Sequence, residues 1–459
     1  MFKRSLNKMI LYILIPIQLF IFTFLVPPFQ KPDEQAHFEQ SLIISKGFVS
    51  CDKKSNNTMP IEKKYVDFIK TPYLDLLTHG KGKLPVQMFL KDLFFTKQNN
   101  QKINFNINHL CSFPIVSYLP QAFVLTISSL IKLNPVVSLY LGRLFMAVLG
   151  YLWFLYLFKK ITKNYKLILL FTFALPMTLH QISSLSYDMI HIMLGLTFFT
   201  LIVNNRVKDV MNHAPTKYFK MFFVLFLFLL SKKIGYEAFI LFLFLIPFEI
   251  KPMIFSSLIF GSFLFISKLN GFFDLQTALA NSEINPLRQI TFLLSNLNII
   301  NVLAATTIQR SGFYLQSLIG IFGWLEYGLD PLSYLLYGLF FIYVIFNTNF
   351  VGKYILSKKK NILLFIALFV SYLFILLLAF VFNTEKNTIV AHGVQGRYFI
   401  PFVPFIILLI AQIKYYLNMN NFHKKISFKV SPIFTNILSV LVVIYLISAT
   451  FFSVFNRYY

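Results

Sequence analysis

The stretch ILLFIALFVSYLFILLLAFVF, residues 362–382, is 21 residues long and carries no charge. About 20 apolar residues in a helix cross the hydrocarbon of a bilayer. Lys358-Lys359-Lys360 stand directly before it, as basic residues do at the cytoplasmic end of a span. The rest of the chain repeats this pattern. It is 57% hydrophobic, 18% aromatic and only 13% charged, whereas a soluble domain is nearer half apolar and a quarter charged. The composition therefore predicts an all-α polytopic membrane protein. No barrel-type alternation of apolar and polar residues is present.

Further apolar segments are read at Met9–Val26, Phe113–Ile131, Pro135–Phe158, Leu167–Gln181, Met189–Val203, Tyr218–Leu230 and Tyr236–Phe248. Others follow at Met253–Leu269, Ile290–Thr306, Gly312–Leu325, Leu332–Phe346, Phe399–Ile413 and Ile433–Val454. About 11 to 13 true transmembrane helices are expected. The basic start, Met1 to Lys8, followed by an apolar run, reads as an uncleaved signal anchor with its N-terminus in the cytoplasm. Residues 1–459 form a single membrane domain, and residues 27–112 a large first external loop with amphipathic, interfacial pieces at Tyr65–Leu77 and Val86–Phe95. The net charge of +25 points to anionic lipid rather than nucleic acid, because the lysines cluster at the ends of apolar runs. One conflict stands: the two apolar segments within Phe113–Phe158 must supply an odd number of crossings, so one of them is interfacial or re-entrant. Cys51 and Cys111 both lie in the first loop, where a disulfide and two free thiols are equally open readings.

The residues able to do chemistry gather at the ends of the apolar runs. Asp33 and Glu34 follow Pro27-Pro28 and precede His37. A carboxylate near a substrate hydroxyl is a general base. Two adjacent acids also suit a divalent cation such as Mg or Mn, which requires oxygen ligands. The plain alternative is a solvated turn. Asp188, in a short connection on the same predicted side, is a second candidate; the alternative is a helix N-cap. Lys232 and Lys233 sit on the predicted outside against the charge rule, which suits a phosphate, though lysines at helix ends also snorkel. His392-Gly393-Val394-Gln395-Gly396-Arg397-Tyr398 offers glycines for close backbone approach and an arginine matched to phosphate oxygens. An interface-anchoring Arg-Tyr pair is the alternative there. His37, Lys232, Lys233, Gln395, Arg397 and Tyr398 are thus candidate substrate contacts beside the candidate catalytic acids Asp33, Glu34 and Asp188. Arg143, inside an apolar run, is expected to face the bundle interior and a partner. Trp324 and Glu326 form a further polar spot. Zinc spacings, a phosphate-binding Gly-Lys-Ser loop and a dinucleotide fingerprint are lacking, which speaks against an ATP-driven machine.

Four motifs taken together resemble a known pattern. They are Pro28-Phe29-Gln30-Lys31-Pro32-Asp33-Glu34-Gln35-Ala36-His37-Phe38; Ala174-Leu175-Pro176-Met177 with Ser183-Ser184-Leu185-Ser186-Tyr187-Asp188; Gly320-Ile321-Phe322-Gly323-Trp324-Leu325; and Gly393-Val394-Gln395-Gly396-Arg397-Tyr398-Phe399-Ile400-Pro401. In order and spread they resemble the bacterial membrane-protein family called domain of unknown function 2142. That family looks like the GT-C glycosyltransferases, multi-span enzymes that use lipid-phosphate-linked sugars. The resemblance implies a base or metal contact at Asp33 or Glu34, a second acid at Asp188, and lipid-phosphate contacts drawn from Lys232, Lys233 and Arg397. The large soluble C-terminal domain of some GT-C enzymes is absent, which argues against a protein acceptor held by such a domain.

The expected activity is therefore a multi-pass glycosyltransferase of the bacterial cytoplasmic membrane. It would take a polyprenyl-phosphate sugar as donor and a cell-envelope glycan as acceptor on the outer face. The alternatives are a transporter or flippase of a lipid-linked saccharide, or a non-catalytic scaffold in envelope-polymer assembly.

Overall fold

A computed structural model describes residues 2–48, 51, 57–71, 73, 82–95, 101–111, 113–207, 215–232, 235–246, 261, 265, 284–295, 298–348, 350, 354–385, 388–417 and 432–459. The expected span Met253–Leu269 falls almost wholly outside them. Six described helices are long and apolar enough to cross a membrane: Leu6–Phe24, Pro135–Lys160, Asp188–Asn205, Lys358–Asn383, Gly396–Tyr416 and Ile437–Tyr458. Counting each bent helix pair as one span raises the number to eight, and three shorter apolar helices join them. The fold is all-α and polytopic. Its described strands form two small antiparallel pairs, Thr58–Glu62 with Lys102–Asn106 and Ile321–Phe322 with Tyr327–Gly328.

Contacts sort the helix ends into two sets. At one end Lys31 meets Ser183, the amide of Leu84 donates to the Tyr458 carbonyl (2.7 Å), and Arg457 pairs with Glu326. This is the end that carries the first loop. At the other end Lys360 donates to the Leu245 carbonyl at 2.8 Å, and the Asn204 amide to the Lys160 carbonyl at 3.1 Å. There Lys414 caps the helix Pro331–Asn347 by donating to the carbonyls of Ile345, Phe346 and Thr348 at 3.0–3.1 Å. A cation at a helix C-terminus satisfies carbonyls that have no partner in their own helix. The basic segments at Lys159–Lys160, Lys358–Lys360 and Lys414 thus fall at the end opposite the first loop.

The parity conflict resolves by helix length. Leu119–Leu130 is a 12-residue helix, about 18 Å long against a hydrocarbon core of about 30 Å. Both of its ends are tied to the first loop: Tyr118 bonds to His37, and Ser129 accepts from Lys46 at 2.8 Å. Its outward stripe, Leu119, Phe123, Ile127 and Leu130, is exposed at helical spacing. It therefore stays at the loop end, and Pro135–Lys160 makes the crossing alone.

Two expectations are corrected. Tyr236–Phe248 is not an ordinary span; Glu237–Leu245 is a 3-10 helix, with Tyr236 before it bonded to the Tyr398 carbonyl and the Leu245 carbonyl at its end accepting from Lys360. Ile290–Thr306 and Gly312–Leu325 are not two spans, because Asn298–Gly320 is one continuous helix. A single exposed glycine costs a helix only about 1 kcal/mol, so Gly312 does not interrupt it. That helix runs along the loop end, where Thr306 and Ser317 accept from the amides of Ala391 and Gly396 at 2.9 and 2.8 Å. The amphipathic pieces of the first loop also divide. Of the piece Tyr65–Leu77, residues 72 and 74–77 lie outside the described residues, and the helix Lys63–Ile69 buries Tyr65, Val66, Phe68 and Ile69. By contrast, Val86–Phe95 exposes Val86, Leu90 and Phe94 along one stripe, as an interfacial helix does. Cys51 and Cys111 form a disulfide, with Cα atoms 5.7 Å apart, which ties together the chain before the strand Thr58–Glu62 and the chain after the strand Lys102–Asn106.

Candidate functional site

The first span ends at Phe24 and the chain turns through Pro27-Pro28. Phe29 (φ 62°) and Asp33 (φ 56°) both adopt left-handed backbone, a region that side-chain-bearing residues rarely enter. Two contacts hold the turn. Phe29 is buried against Phe38 and Phe68, with ring centroids 5.9 and 4.8 Å away, and the Trp324 indole donates to its carbonyl at 3.3 Å. Trp324 thus has a structural role, while Glu326 is taken by Arg457 at 2.6 Å.

The turn sends its two adjacent acids in opposite directions. Glu34 points into the bundle and is fully buried. Arg143 grips it bidentately, through Nε to Oε1 at 2.7 Å and Nη2 to Oε2. The same guanidinium donates to the carbonyls of Thr23, Val26 and Pro27 at the end of the first span. Arg143 is therefore the inward-facing, partnered arginine that its apolar setting predicts. Beside this pair, buried Lys31 donates to the carbonyl and hydroxyl of Ser183. Sequence reasoning passed over Lys31, although its place in the same motif was a usable signal.

Asp33 points the other way. Its side chain is 51% exposed and accepts from Arg397 Nη2 at 3.1 Å. Although it stands at the N-cap of helix Glu34–Ser45, it makes no capping hydrogen bond. Arg397 also lies 3.8 Å from Asp188, and Asp188 accepts from Lys232 at 3.0 Å. Four of the sequence candidates thus form one chain of charges: Asp33, Arg397, Asp188 and Lys232. Asp188 opens the helix Asp188–Val207, and the Ser186 hydroxyl accepts from its amide at 3.1 Å. Capping and charge pairing therefore coexist at this point of the chain.

Lys232 is ringed by aromatics. Its ammonium lies 4.1 Å from the Tyr398 ring centroid, 5.3 Å from Tyr236 and 5.4 Å from Tyr187. Burial lowers its pKa, and Asp188 beside it opposes that shift. His37 shares a 2.6 Å hydrogen bond with the Tyr118 hydroxyl through Nδ1 and sits edge-on to Phe113 and Tyr187. Burial holds its imidazole at about 4, with Asp33 and Asp188 pulling the other way, so it is neutral at physiological pH.

These groups surround a half-open cavity of about 300 Å³. Asp33, His37, Lys232, Tyr187 and Tyr398 form its polar side. Ile375, Leu378, Ala379 and Phe382, all on the spanning helix Lys358–Asn383, form an apolar wall. Glu34, Asp188, Gln395 and Arg397 are not on the wall itself. Lys233 lies outside the described residues. The sequence reading overlooked Phe113, Tyr118, Tyr187 and Tyr236; of these only Tyr187, beside Asp188, carried a local signal.

The glycines of the last motif answer to packing. A Cβ on Gly396 would stand 2.1 Å from the Leu318 amide nitrogen and 2.3 Å from the Tyr314 carbonyl oxygen. The strand of chain before Arg397 therefore crosses the helix Asn298–Gly320 backbone to backbone. Among the described residues no three His, Cys, Asp or Glu side chains converge as metal ligands. Asp33 and Asp188 are already met by Arg397 and Lys232, so this donor set does not suit a divalent cation.

Comparison with curated proteins and with solved structures gave no match. A family model does match, over residues 17–406. That range takes in the turn with Asp33 and Glu34, the Ser183–Asp188 connection, Lys232 and the Gly396-Arg397 crossing. By this match the chain belongs to the family of predicted membrane proteins called domain of unknown function 2142.

Proposed function

We propose that the protein is a GT-C-like glycosyltransferase of the bacterial cytoplasmic membrane. It moves a sugar from a polyprenyl-phosphate donor to a cell-envelope glycan at the outer face. The supporting observation is the composition of one cavity, which sets a carboxylate, a caged ammonium and aromatic rings against an apolar wall on a spanning helix. A lipid-linked sugar phosphate has the same split of polarity.

The reaction assigned to the site is a displacement at the anomeric carbon. An acceptor hydroxyl oxygen bonds to that carbon, and the bond from carbon to phosphate oxygen breaks. The phosphate leaves with the electron pair, and Asp33 takes the hydroxyl proton. Of the two adjacent acids the geometry favours Asp33, because Glu34 is sealed against Arg143. Lys232, with Arg397 behind it, offsets the charge on the leaving phosphate in a low-dielectric site. Tyr187, Tyr398 and neutral His37 supply ring faces and a hydrogen bond for the sugar, and the sugar–phosphate bond itself supplies the driving force.

The test is transfer from a labelled polyprenyl-phosphate sugar by purified protein. Losing a general base slows transfer by about 10²- to 10⁴-fold, so Asp33→Asn is expected to fall in that range. Transfer at the wild-type rate by Asp33→Asn removes the base assignment. Movement of the intact lipid-linked sugar across a bilayer, with no bond broken, supports a flippase instead.

A further inference from the structure

Arg143 and Arg397 are both buried, yet their bonding differs. Arg143 spends Nε, Nη1 and Nη2 on a carboxylate and three carbonyls. Among the described residues Arg397 makes one side-chain hydrogen bond, from Nη2 to Asp33, and its guanidinium lies 5.5 Å from the Tyr398 ring centroid. Its Nε and Nη1 are buried and have no hydrogen-bond partner among the described residues; the 3.8 Å approach of Nη1 to Asp188 is too long for one. A guanidinium carries five donors, and leaving them unmet in a buried place is costly. Arg397 is thus a cation prepared for more oxygen atoms than Asp33 supplies.

Asp33 is a poor permanent partner. Its side chain is half-exposed, its backbone is left-handed, and it leaves its own helix uncapped. A half-exposed ion pair contributes only about 0.2–1 kcal/mol. Asp188 is different, being buried and held by Lys232 as well. The order of these groups from the cavity also matters. Asp33 and Lys232 are on the cavity wall, and Arg397, bonded to Asp33, is not.

We propose that Asp33 stands in for the donor's phosphate on Arg397 while the cavity is empty, and that the arriving phosphate displaces it. This rests on the phosphate-donor reading of the site. The phosphate enters beside Lys232, takes over the unmet donors of Arg397 and turns the Asp33 carboxylate loose toward the cavity. No bond is made or broken in this exchange; one anion replaces another on the guanidinium. The carboxylate is then free to receive a proton only once a donor is in place. Donor binding precedes acceptor activation, and the enzyme is protected from idle proton exchange or hydrolysis without its donor.

The experiment measures binding rather than turnover. Full-length protein in lipid nanodiscs is titrated with a fluorescent short-chain polyprenyl monophosphate that carries no sugar. Because Asp33 competes with the phosphate, Asp33→Asn is expected to bind the probe about 1.4- to 5-fold more tightly than wild type, the fold-change equivalent to a half-exposed pair. Asp33→Ser is expected to move in the same direction, which separates the lost charge from any peculiarity of the amide. Unchanged or weaker binding by both variants, with wild-type binding intact, overturns the displacement and leaves the phosphate reading standing. Absence of probe binding by wild type overturns both.

Discussion

Replacing Glu34 by glutamine separates a structural acid from a reacting one. The side chain and its partner Arg143 are both fully buried. Removing one charge of a buried pair leaves the other uncompensated and costs about 3–5 kcal/mol. Arg143 would keep the carbonyls of Thr23 and Pro27, at 3.3 and 2.9 Å, and that of Val26. It also lies 5.1 Å from the Tyr140 ring centroid. Those contacts place the expected loss near the lower end, about 3 kcal/mol. The assay is the melting midpoint of detergent-purified protein, run as a cycle with Arg143→Met and the double variant. Glu34→Gln and Arg143→Met should each lower the midpoint strongly. The double variant should recover part of the loss, because no lone charge remains, but not all of it, because span-end carbonyls lose their donor. If Glu34→Gln melts like wild type and yet transfers no sugar, Glu34 belongs to the chemistry and the reasoning from its burial fails.

Other outcomes follow from the same geometry. The folded His37 imidazole sits at about 4 against an ordinary 6.5, so the unfolded chain binds the proton more readily. The stability this gives is complete above pH 6.5 and drains as pH falls toward 4, by about 3 kcal/mol in all; a His37→Gln variant should show a flatter fall of melting midpoint across that window. Gly396→Ala drives a Cβ into backbone atoms of Tyr314 and Leu318, and overpacking against backbone costs about 1–3 kcal/mol or more. The yield of monodisperse protein should drop, and an unchanged yield would show that the crossing of the two segments is looser than described.

Much of the architecture was legible because lipid imposes a length rule. Ile362–Phe382 reads as a span from its composition alone, and the helix Lys358–Asn383 contains it. Charge parity required one of the two segments within Phe113–Phe158 not to cross but did not say which, and the 12-residue helix Leu119–Leu130 identifies it. Tyr236–Phe248 misled because hydrophobicity does not distinguish a 3-10 helix from an α-helix. The site was legible in its charges and not in its pairings. Asp33 and Glu34 are neighbours, and nothing local tells which faces solvent. That is decided by Arg143, 109 positions from Glu34, and by a left-handed turn. Gly396 looked like an opening for a ligand and serves the passage of one backbone over another. Of the aromatic ring around Lys232, Tyr398 was already a candidate beside Arg397 and Tyr187 lay beside Asp188, whereas Tyr236 is one tyrosine among 24 whose role only the fold shows.

The two arginine contacts also set an order for biogenesis. Glu34 and Arg143 can close as soon as the helix Pro135–Lys160 is in the membrane, while the Trp324 contact to Phe29 comes later. Asp33 waits for Arg397, which is 364 positions further along. While the later helices are still being made, the buried Glu34–Arg143 pair can be in place but the cluster of charges at Asp33 is unfinished. A nascent chain that stops short of Arg397 therefore has the Glu34–Arg143 pair and still lacks the Asp33–Arg397 pair.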